Sequence, residues 1–488
     1  MTDKNFVKDV AIIGFTQVLM SLGGFLLLPI ITKTLGSYDY GTWSQISITL
    51  SLLSTVALMG LSMGAVRFLS SETEKTKIRE GFFSIIIFVI FTGFIVSMLV
   101  FLLADLLAAT IFKDPHTTYF IKAGSFLILL AAIDQITIFY FRIFRYIQIF
   151  SYLNLFQVFG KLFLIFIFLK MGFGLLGVIS AILIIQILLF IIAMSIVISQ
   201  IGFAIPRFSH ISEYLKYSAP LTPNSLIRWI TDFSDRYVVG YFLGLSSVGI
   251  YSASYAIGNL VSLFVAPIQM ILFPELSKLF DNGDIDKVQA YLSSSMKYFL
   301  LIAIPAVFGL SALSKPILNI LTTSEFASGS IVIPIIALSG LLAGIFQIVI
   351  NITHLVKKTK FNLYIHVVAA LLNIVFNFIL IPSIGILGAA IATLISYIVM
   401  VLACIHISFK HITFDWNFIF ISKCIVASSI MYGVILLKSP SNATELLILS
   451  GLGAVIYLLI LLSFKSFSKN EIKAVKNFYF TMKSNIFS

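Results

Sequence analysis

The chain has 488 residues, of which 59% are hydrophobic and only 11% are charged, and its formal net charge is +12. Soluble domains carry about 25% charged residues, so this composition excludes a soluble enzyme or a soluble nucleic-acid-binding protein. The positive balance is instead typical of a membrane protein that is oriented in the bilayer by its lysines and arginines.

Apolar stretches of about 20 residues, long enough to cross a bilayer, follow one another along the chain. Lipid tolerates only helices or closed barrels, and these stretches are too long for barrel strands. The predicted fold class is therefore all-α and integral to the membrane. The fourteen predicted helices are 9–32, 41–66, 82–104, 118–141, 149–171, 173–200, 218–243, 248–274, 296–313, 328–354, 363–382, 386–408, 417–437 and 445–464.

A short motif occurs twice. Leu35-Gly36, followed by Gly41-Thr42-Trp43-Ser44, returns 208 residues later as Leu243-Gly244, followed by Gly249-Ile250-Tyr251-Ser252. A second match, Gly174-Leu175-Leu176-Gly177 with Gly385-Ile386-Leu387-Gly388, has an offset of 211. Each match alone could be a coincidence between glycine turns, but two at nearly one offset indicate a duplicated unit.

Six predicted helices separate the copies, and an even number preserves orientation, so the halves are predicted to be parallel repeats with a site at their interface. We expect a six-helix lobe in residues 1–205 and another in 206–410. Residues 411–488 would add two helices and a basic cytoplasmic tail.

Lysine and arginine concentrate on one side of the predicted membrane. Every second connection between helices, together with the two ends of the chain, contains 22 of the 32 lysines and arginines. By the positive-inside rule, both termini are predicted to be cytoplasmic, in a multi-pass protein of the cytoplasmic membrane.

The seventh predicted helix contains most of the candidate chemistry. Arg228, Asp232, Asp235 and Arg236 share a stripe about 100° wide on this helix, and residues four apart can pair. Charges within a span are costly and should face protein or water rather than lipid. Pro220 and Pro223 break the first turns and predict a hinge.

Two interpretations of the stripe remain open. In the first, the four charges neutralise one another and fix the helix in place. In the second, Arg236 and Arg228 bind the phosphates or carboxylates of a substrate, because the guanidinium group stays charged and grips two oxygens at once. Asp232 and Asp235 would then orient the arginines or exchange protons or sodium ions.

Asp134 and Lys161 are the other two deep charges. Lys161 lies about 18 Å into its span, too deep for its ammonium group to reach the headgroups easily. It could therefore line a cavity as a substrate ligand or pair with Asp134, which is a further candidate for ion coupling.

Signatures of enzymes are missing from the sequence. It contains no phosphate-binding loop, no zinc-type histidine spacing and no nucleophile elbow. We therefore expect a transporter with neither a catalytic residue nor a metal site, and with no cofactor beyond a coupling ion, H⁺ or Na⁺.

Several motifs resemble the polysaccharide biosynthesis flippases of the MATE-like exporter superfamily. These motifs are the Leu35-Gly36 repeat with Trp43, Gly60-Leu61-Ser62 with Arg67-Phe68, Pro220 and Pro223 ahead of Trp229, Ser234-Asp235-Arg236-Tyr237, and Gly249-Ile250-Tyr251-Ser252. The resemblance covers about residues 5 to 465. Within the superfamily, these motifs are similar to those of the O-antigen and lipid-linked oligosaccharide translocases. It implies two six-helix lobes in a V, often with two extra helices.

The resemblance also implies ion-driven alternating access that carries a polyprenyl-diphosphate-linked glycan outward. Arg236 and Arg228 best match the residues that would hold the diphosphate, and Lys161 matches less well. Lipid II flippases of the superfamily have an arginine in the first helix. Since the first helix here has none, a peptidoglycan precursor is disfavoured as cargo.

The partners implied are the lipid-linked glycan and membrane lipids, with a glycan polymerase or glycosyltransferases as further candidates. Two rival functions remain: an exporter of drugs or metabolites coupled through Asp134, Asp232 or Asp235, and a membrane scaffold for glycan assembly that does not transport.

Overall fold

The computed structural model describes residues 4–467, with side chains from residue 12 onward, and this part of the chain contains helices and no strand. The basic tail predicted at the C-terminus lies largely outside the described residues. The α-helices are α1 (Lys4–Leu58), α2 (Leu61–Leu69), α3 (Lys75–Leu102), α4 (Ala104–Leu107), α5 (Thr118–Ile143), α6 (Ile147–Lys170), α7 (Gly174–Ile201), α8 (Ile211–Ser218), α9 (Thr222–Leu243), α10 (Leu245–Gly258), α11 (Ala266–Asp281), α12 (Ile285–Ala312), α13 (Ser314–Leu321), α14 (Val332–Val349), α15 (Asn351–Leu355), α16 (Lys360–Ile384), α17 (Ile386–Ser408), α18 (Phe418–Leu436) and α19 (Ala443–Ser463).

Among the described residues, twelve helical segments are long and apolar enough to cross a membrane. The first of them, Ile12–Leu58, contains two predicted helices. The 22-residue helix α9 is not one of the twelve. Fourteen segments result when the first is divided and α9 is added, so the predicted all-α membrane fold is confirmed and its helix count is approximate.

The break inside α1 is a glycine with a left-handed backbone. Gly36 has φ 72° and ψ −176°, which separates the predicted helices 9–32 and 41–66 without ending α1. Gly244, its partner in the repeat, has nearly the same conformation, φ 82° and ψ 174°. The second repeated pair agrees as well, since Gly174 and Gly385 both have positive φ. Only glycine adopts such angles without strain, so the sequence match reflects matched backbones.

The prediction of one continuous helix over 41–66 is wrong. The helix ends at Leu58, and α2 starts at Leu61 after Met59 and Gly60, both of which have positive φ. Apolar composition runs unbroken through this turn, because Met59 and Leu61 are as hydrophobic as a span requires. Hydropathy therefore gives no sign of the break.

The described chain forms two compact units, the first of which comprises 4–256, Leu321–Gly329 and Leu363–Ser396. In this unit α5 packs against α1, α3 and α7, and α6 packs against α1 and α7. Its core is made of branched aliphatic and aromatic side chains such as Ile85, Ile128 and Phe141, each fully buried. Helix α9 packs along α1 and is the most polar long helix of the unit.

The second unit comprises Ile257–Ile320, Ser330–Asn362 and, among the described residues, 397–467. Helix α12 lies at its centre and packs against α11, α14 and α18, while α19 packs against α18. Tyr457 of α19 donates a hydrogen bond to the Leu301 carbonyl at 2.9 Å. The predicted lobes, 1–205 and 206–410, and the appended segment 411–488 remain predictions, as does the V shape.

Candidate functional site

Helix α9 lies in the first unit with its charged stripe intact. Its first turn contains Pro223, and hydrogen bonds at two levels join it to α1. Trp229 Nε1 donates to Ser51 Oγ at 2.9 Å, and the Tyr237 and Thr49 hydroxyls lie 2.6 Å apart. Because these bonds hold α9 against α1 at two points about two turns apart, the rotation of the stripe about the helix axis is fixed.

The four charges of the stripe have different environments. Arg228 is exposed and Asp232 is partly exposed, whereas Asp235 is 2% and Arg236 is 5% exposed. The stripe therefore passes from an open end, near the prolines, to a buried end. Since the spacing alone made the two arginines equivalent, this difference comes from the packing around α9.

At the buried end, four residues form a compact arginine cluster: Asp235, Arg236, Tyr251 and Tyr255. Arg236 Nη1 donates to Asp235 Oδ1 at 2.9 Å and to the Asp232 carbonyl at 2.9 Å. Its guanidinium carbon lies 4.2 Å from the centre of the Tyr255 ring. Tyr251 donates its hydroxyl proton to Asp235 Oδ2 at 2.5 Å.

The arginine cluster explains why the two motifs occur together. Ser234-Asp235-Arg236-Tyr237 provides the ion pair, and Gly249-Ile250-Tyr251-Ser252 provides the hydroxyl that satisfies the second carboxylate oxygen. A buried ion pair is stable only if its remaining hydrogen-bonding positions are filled. In this conformation Arg236 is thus neutralised and packed, and it joins α9 to α10.

Arg228 has the opposite character. Its side chain is exposed, and it acts electrostatically on His366 of α16. An exposed guanidinium keeps its forked donors available for an anion. Of the two arginines predicted to bind substrate, Arg228 has the geometry of an open ligand.

Lys161 and Asp134 face each other from neighbouring helices. Asp134 on α5 is buried, at 2% exposed, and Lys161 on α6 is partly buried. Each is the charged group that acts on the other. Neither carboxylate oxygen of Asp134 has a hydrogen-bond partner among the described residues.

A network of neutral polar groups lies beside α9. Ser234 donates to Asn373 Oδ1 at 3.2 Å, Asn377 donates to the same oxygen at 2.8 Å, and Asn373 Nδ2 reaches Thr393 at 3.4 Å. Both asparagines are fully or almost fully buried. Sequence reasoning recognised them only as hydrogen-bonding groups between helices, because neutral residues give no indication of which helix they face.

The two copies of the sequence repeat pack against each other. A Cβ atom on Gly41 would overlap the Leu245 carbonyl, and one on Gly249 would overlap the Ser37 carbonyl. Three residues further on, the hydroxyls of Ser44 and Ser252, which are 208 positions apart, lie 2.7 Å from each other. We call these residues the glycine crossing, in which small residues let two helix backbones approach.

Side chains of residues 113–114 and of Glu325 bind the chain next to the glycine crossing. Lys113 Nζ donates to the Tyr241 carbonyl at 3.1 Å and lies 3.5 Å from the centre of the Tyr241 ring. Tyr38 donates to the Asp114 carboxylate. The Glu325 carboxylate accepts a bond from the Ser37 amide at 2.9 Å. We call these three contacts the latch.

At the opposite end of α9, Pro220 lies in a 3₁₀ turn, Ala219–Leu221, between α8 and α9. The turn packs on the break before α2, since a Cβ on Gly60 or Gly64 would overlap Ser218. Phe68 lies on Tyr214, with ring centroids 4.9 Å apart. Burial, together with nearby carboxylates, raises the pKa of Tyr214 above its usual value. The prolines do interrupt the helix; their action as a hinge remains a prediction.

The described residues contain no group of three or more side chains of the kind that hold a metal ion. The substrate-binding and coupling roles of these residues remain predictions. The geometry does distinguish between them: Arg228 is open, Arg236 is packed, Lys161 faces Asp134, and Asp232 is partly accessible beside the arginine cluster.

Comparison with known proteins identifies the family. The model of the family described as "Polysaccharide biosynthesis protein" matches residues 6–280, more than half of the chain. The chain belongs to this family. The MatE family model matches residues 220–379, which include α9, the arginine cluster, Asn373 and Asn377.

Two relatives come from Haloferax volcanii. "Probable low-salt glycan biosynthesis flippase Agl15" is 26% identical over 272 residues, or 55% of this chain and 58% of that protein. "Probable flippase AglR" is 30% identical over 175 residues, or 36% of this chain and 37% of that protein. The chain thus matches less than two thirds of the length of either relative.

The fold is also that of a solved transporter. A structure of the lipid II flippase MurJ, in an inward closed conformation, superposes on the chain with a TM-score of 0.78 and 21% identity, covering 92% of this chain and 98% of the other. The likeness shows the fold and extends over nearly all of both chains.

Proposed function

We propose that this protein is a flippase that moves a polyprenyl-diphosphate-linked oligosaccharide across the cytoplasmic membrane, and that it is a secondary transporter rather than an enzyme. The observation that carries the proposal is α9. This helix is long enough to span a bilayer, yet it contains four charges and exposes one of them, Arg228. A helix of that kind must face protein or water, because exposed charge in lipid is costly.

The open guanidinium suits a diphosphate. Its planar donors match phosphate oxygens in pairs, and it stays charged at every physiological pH. A glycan attached to diphosphate cannot cross hydrocarbon unaided, whereas the polyprenyl tail can remain in lipid. We infer that Arg228 makes the first contact with the headgroup, that Lys161 is a second cationic candidate, and that Arg236 would contact it only after the arginine cluster opens.

The distribution of lysines and arginines predicts cytoplasmic termini, which puts the glycine crossing and the latch on the outer side and Pro220 and Pro223 on the inner side. We infer that the glycine crossing and the latch hold the outer parts of α1 and α10 against each other. Hydrogen bonds such as Ser44 to Ser252 average about 0.6 kcal/mol in membrane proteins, so such a seam can open when a ligand favours the other state. Pro220 and Pro223 would absorb the change in angle.

The names of the relatives support the proposed class of substrate, since two of them are named as probable flippases, one of glycan biosynthesis. The particular glycan, O-antigen or another, is not part of the proposal. Membrane lipids surround the protein, and polymerases or glycosyltransferases of glycan assembly are its proposed partners. The coupling ion is proposed to be H⁺ or Na⁺, with Asp134, Asp232 and Asp235 as candidate sites.

One rival function has a specific observation in its favour. The MatE match over residues 220–379 is consistent with an exporter of drugs or metabolites. Such a protein would bind organic cations through Asp232, which is partly exposed, rather than anions through Arg228. A scaffold that does not transport would need neither charge.

Reconstituted vesicles distinguish these functions. We expect the protein to move a fluorescent polyprenyl diphosphate that carries one N-acetylglucosamine residue, and we expect Arg228→Ala to slow this movement at least about tenfold, the loss of one charge-assisted contact. Arg228→Lys, the matched control, should retain part of the activity. Transport of an ethidium-type cation without movement of the glycolipid would overturn the proposal in favour of the exporter.

A further inference from the structure

A carboxyl group in the interior of the first unit has no hydrogen-bond donor beside it. Asp134 lies nine residues before the end of the 26-residue helix α5. It is 2% exposed, and neither of its oxygens accepts a hydrogen bond from the described residues. Buried charges in proteins are paired and hydrogen-bonded, or else they are neutralised by a proton. The environment of Asp134 favours the neutral acid.

The nearest opposite charge is close but not in contact. Lys161 is the fifteenth residue of α6, which runs antiparallel to α5 after a short turn. The two positions differ by about 8 Å along the helix axes at 1.5 Å per residue. Because side chains lean toward the N-terminus of their own helix, Asp134 and Lys161 lean toward each other. No ion pair joins them among the described residues, although each acts on the other electrostatically.

Other charges on the helices around α5 lie elsewhere. Those of α2, α3, α4 and the remainder of α6 are near helix ends, those of α1 from Ile12 onward flank the break at Gly36, and α7 has none. They are Lys33, Asp39, Arg67, Lys75, Lys77, Arg79, Glu80, Asp105 and Lys170. Within the described residues, Lys161 is therefore the charged group that can stabilise an ionised Asp134.

We propose that Asp134 is the proton-binding site that couples transport to a proton gradient, with Lys161 as its alternate partner. The carboxyl group is protonated in the described conformation. When water reaches it in another conformation, the acid gives its proton to that water and the resulting carboxylate pairs with the Lys161 ammonium. This inference rests on the proposed transport function for its coupling role, but not for the protonation itself.

Such a pair gives two states of different energy. A protonated Asp134 can be buried without a donor, while an ionised Asp134 needs Lys161 or water. A proton therefore favours the conformation seen here, and its loss favours the other. A ligand can shift a conformational equilibrium only through such differential binding.

Infrared spectroscopy of the full chain in lipid nanodiscs tests the protonation directly. At pH 7 we expect a carboxylic acid carbonyl band that shifts in D₂O and disappears in Asp134→Asn, an isosteric change that preserves the neutral form. Asp105→Asn is the matched control, because Asp105 is exposed and pairs with Lys122 at 3.2 Å, and this variant should keep the band. A spectrum of Asp134→Asn that retains the full band would overturn the proposal. A pH titration of the unmodified protein gives the same answer if the variant does not fold.

Transport in vesicles tests the coupling. With the fluorescent N-acetylglucosamine glycolipid as probe, an imposed pH gradient should accelerate the wild type, whereas Asp134→Asn should move the probe at equal rates with and without the gradient. An undiminished response to the gradient in Asp134→Asn would reject proton coupling at this residue. If no variant moves the probe but the infrared band is lost, the proposed substrate fails and the proton site stands.

Discussion

The helices that precede the two copies of the motif lead into the same backbone turn but have different chemistry. The part of α1 before Gly36 has no charged residue between Ile12 and Thr32, whereas α9 before Gly244 contains four. Both end at a glycine of nearly the same left-handed conformation. The two copies of the motif thus share the turn on which they pack, while only the second follows a charged helix. The comparison separates residues of the scaffold, which should matter in both copies, from residues of the site, which should matter in one.

The glycine crossing should be the most sensitive part of the scaffold. Gly41→Ala and Gly249→Ala each drive a methyl group into a carbonyl oxygen of the other copy. We expect each change to cost more than about 2 kcal/mol and to abolish transport, because overpacking at a backbone contact cannot relax easily. Thermal unfolding in detergent and vesicle transport measure the two effects. Gly24→Ala is the control on the same helix, since nothing lies within 4 Å of its added methyl group. The two variants should lose stability and transport to a similar extent. If alanine is tolerated at one of the two positions, the copies are not equivalent parts of the scaffold.

The arginines of α9 should separate stability from transport. Arg236→Ala leaves Asp235 buried and unpaired, and we expect it to cost about 3–5 kcal/mol. Arg228→Ala should change stability by less than about 0.5 kcal/mol, because the residue is exposed. Unfolding curves of the two variants, recorded beside their transport rates, check this. If Arg236→Ala unfolds like the wild type and loses transport alone, Arg236 is a direct ligand and the arginine cluster is not structural.

The latch should affect the conformational equilibrium more than the fold. Lys113→Ala removes one charge-assisted hydrogen bond and a contact with the Tyr241 ring, and both lie at an exposed position. We expect a loss of stability of at most about 1 kcal/mol, together with easier opening on that side. Labelling of a cysteine introduced near Ser37 reports the opening. Lys33→Ala, at another site on the same side, should not raise the labelling rate; a rise as large as that in Lys113→Ala would reject the latch.

The smallest effect should come from the paired hydroxyls of the crossing. Ser44→Ala and Ser252→Ala each remove one bond, worth about 0.6 kcal/mol in a membrane protein. A double-mutant cycle with unfolding as its measurement should find coupling of that size between the two positions. Ser21→Ala is the control, because the Ser21 hydroxyl donates to the Gln17 carbonyl of its own helix. A cycle of Ser21→Ala with Ser252→Ala should show no coupling.

Most residues of the candidate site could be predicted from the sequence, but their burial and their partners could not. The stripe of Arg228, Asp232, Asp235 and Arg236 follows from helical spacing, and its position on one long helix is confirmed. Which arginine is open could not be predicted, because that depends on Tyr251 and Tyr255 of another helix closing around Arg236. The polar network beside α9 could not be predicted either, since Asn373, which contacts Ser234, lies 139 residues further along the chain.

The sequence by itself determined the membrane class, the approximate number of helices and the internal repeat. These follow from hydropathy over about 20 residues and from matched glycines, which are local properties of the chain. Tertiary structure alone decided that the two copies of the repeat touch at Gly41 and Gly249, that Arg236 is neutralised while Arg228 stays open, and that Asp134 has no donor. The physical reason is that burial and partnership depend on the distances between helices, and helices far apart in sequence come together only in the folded chain.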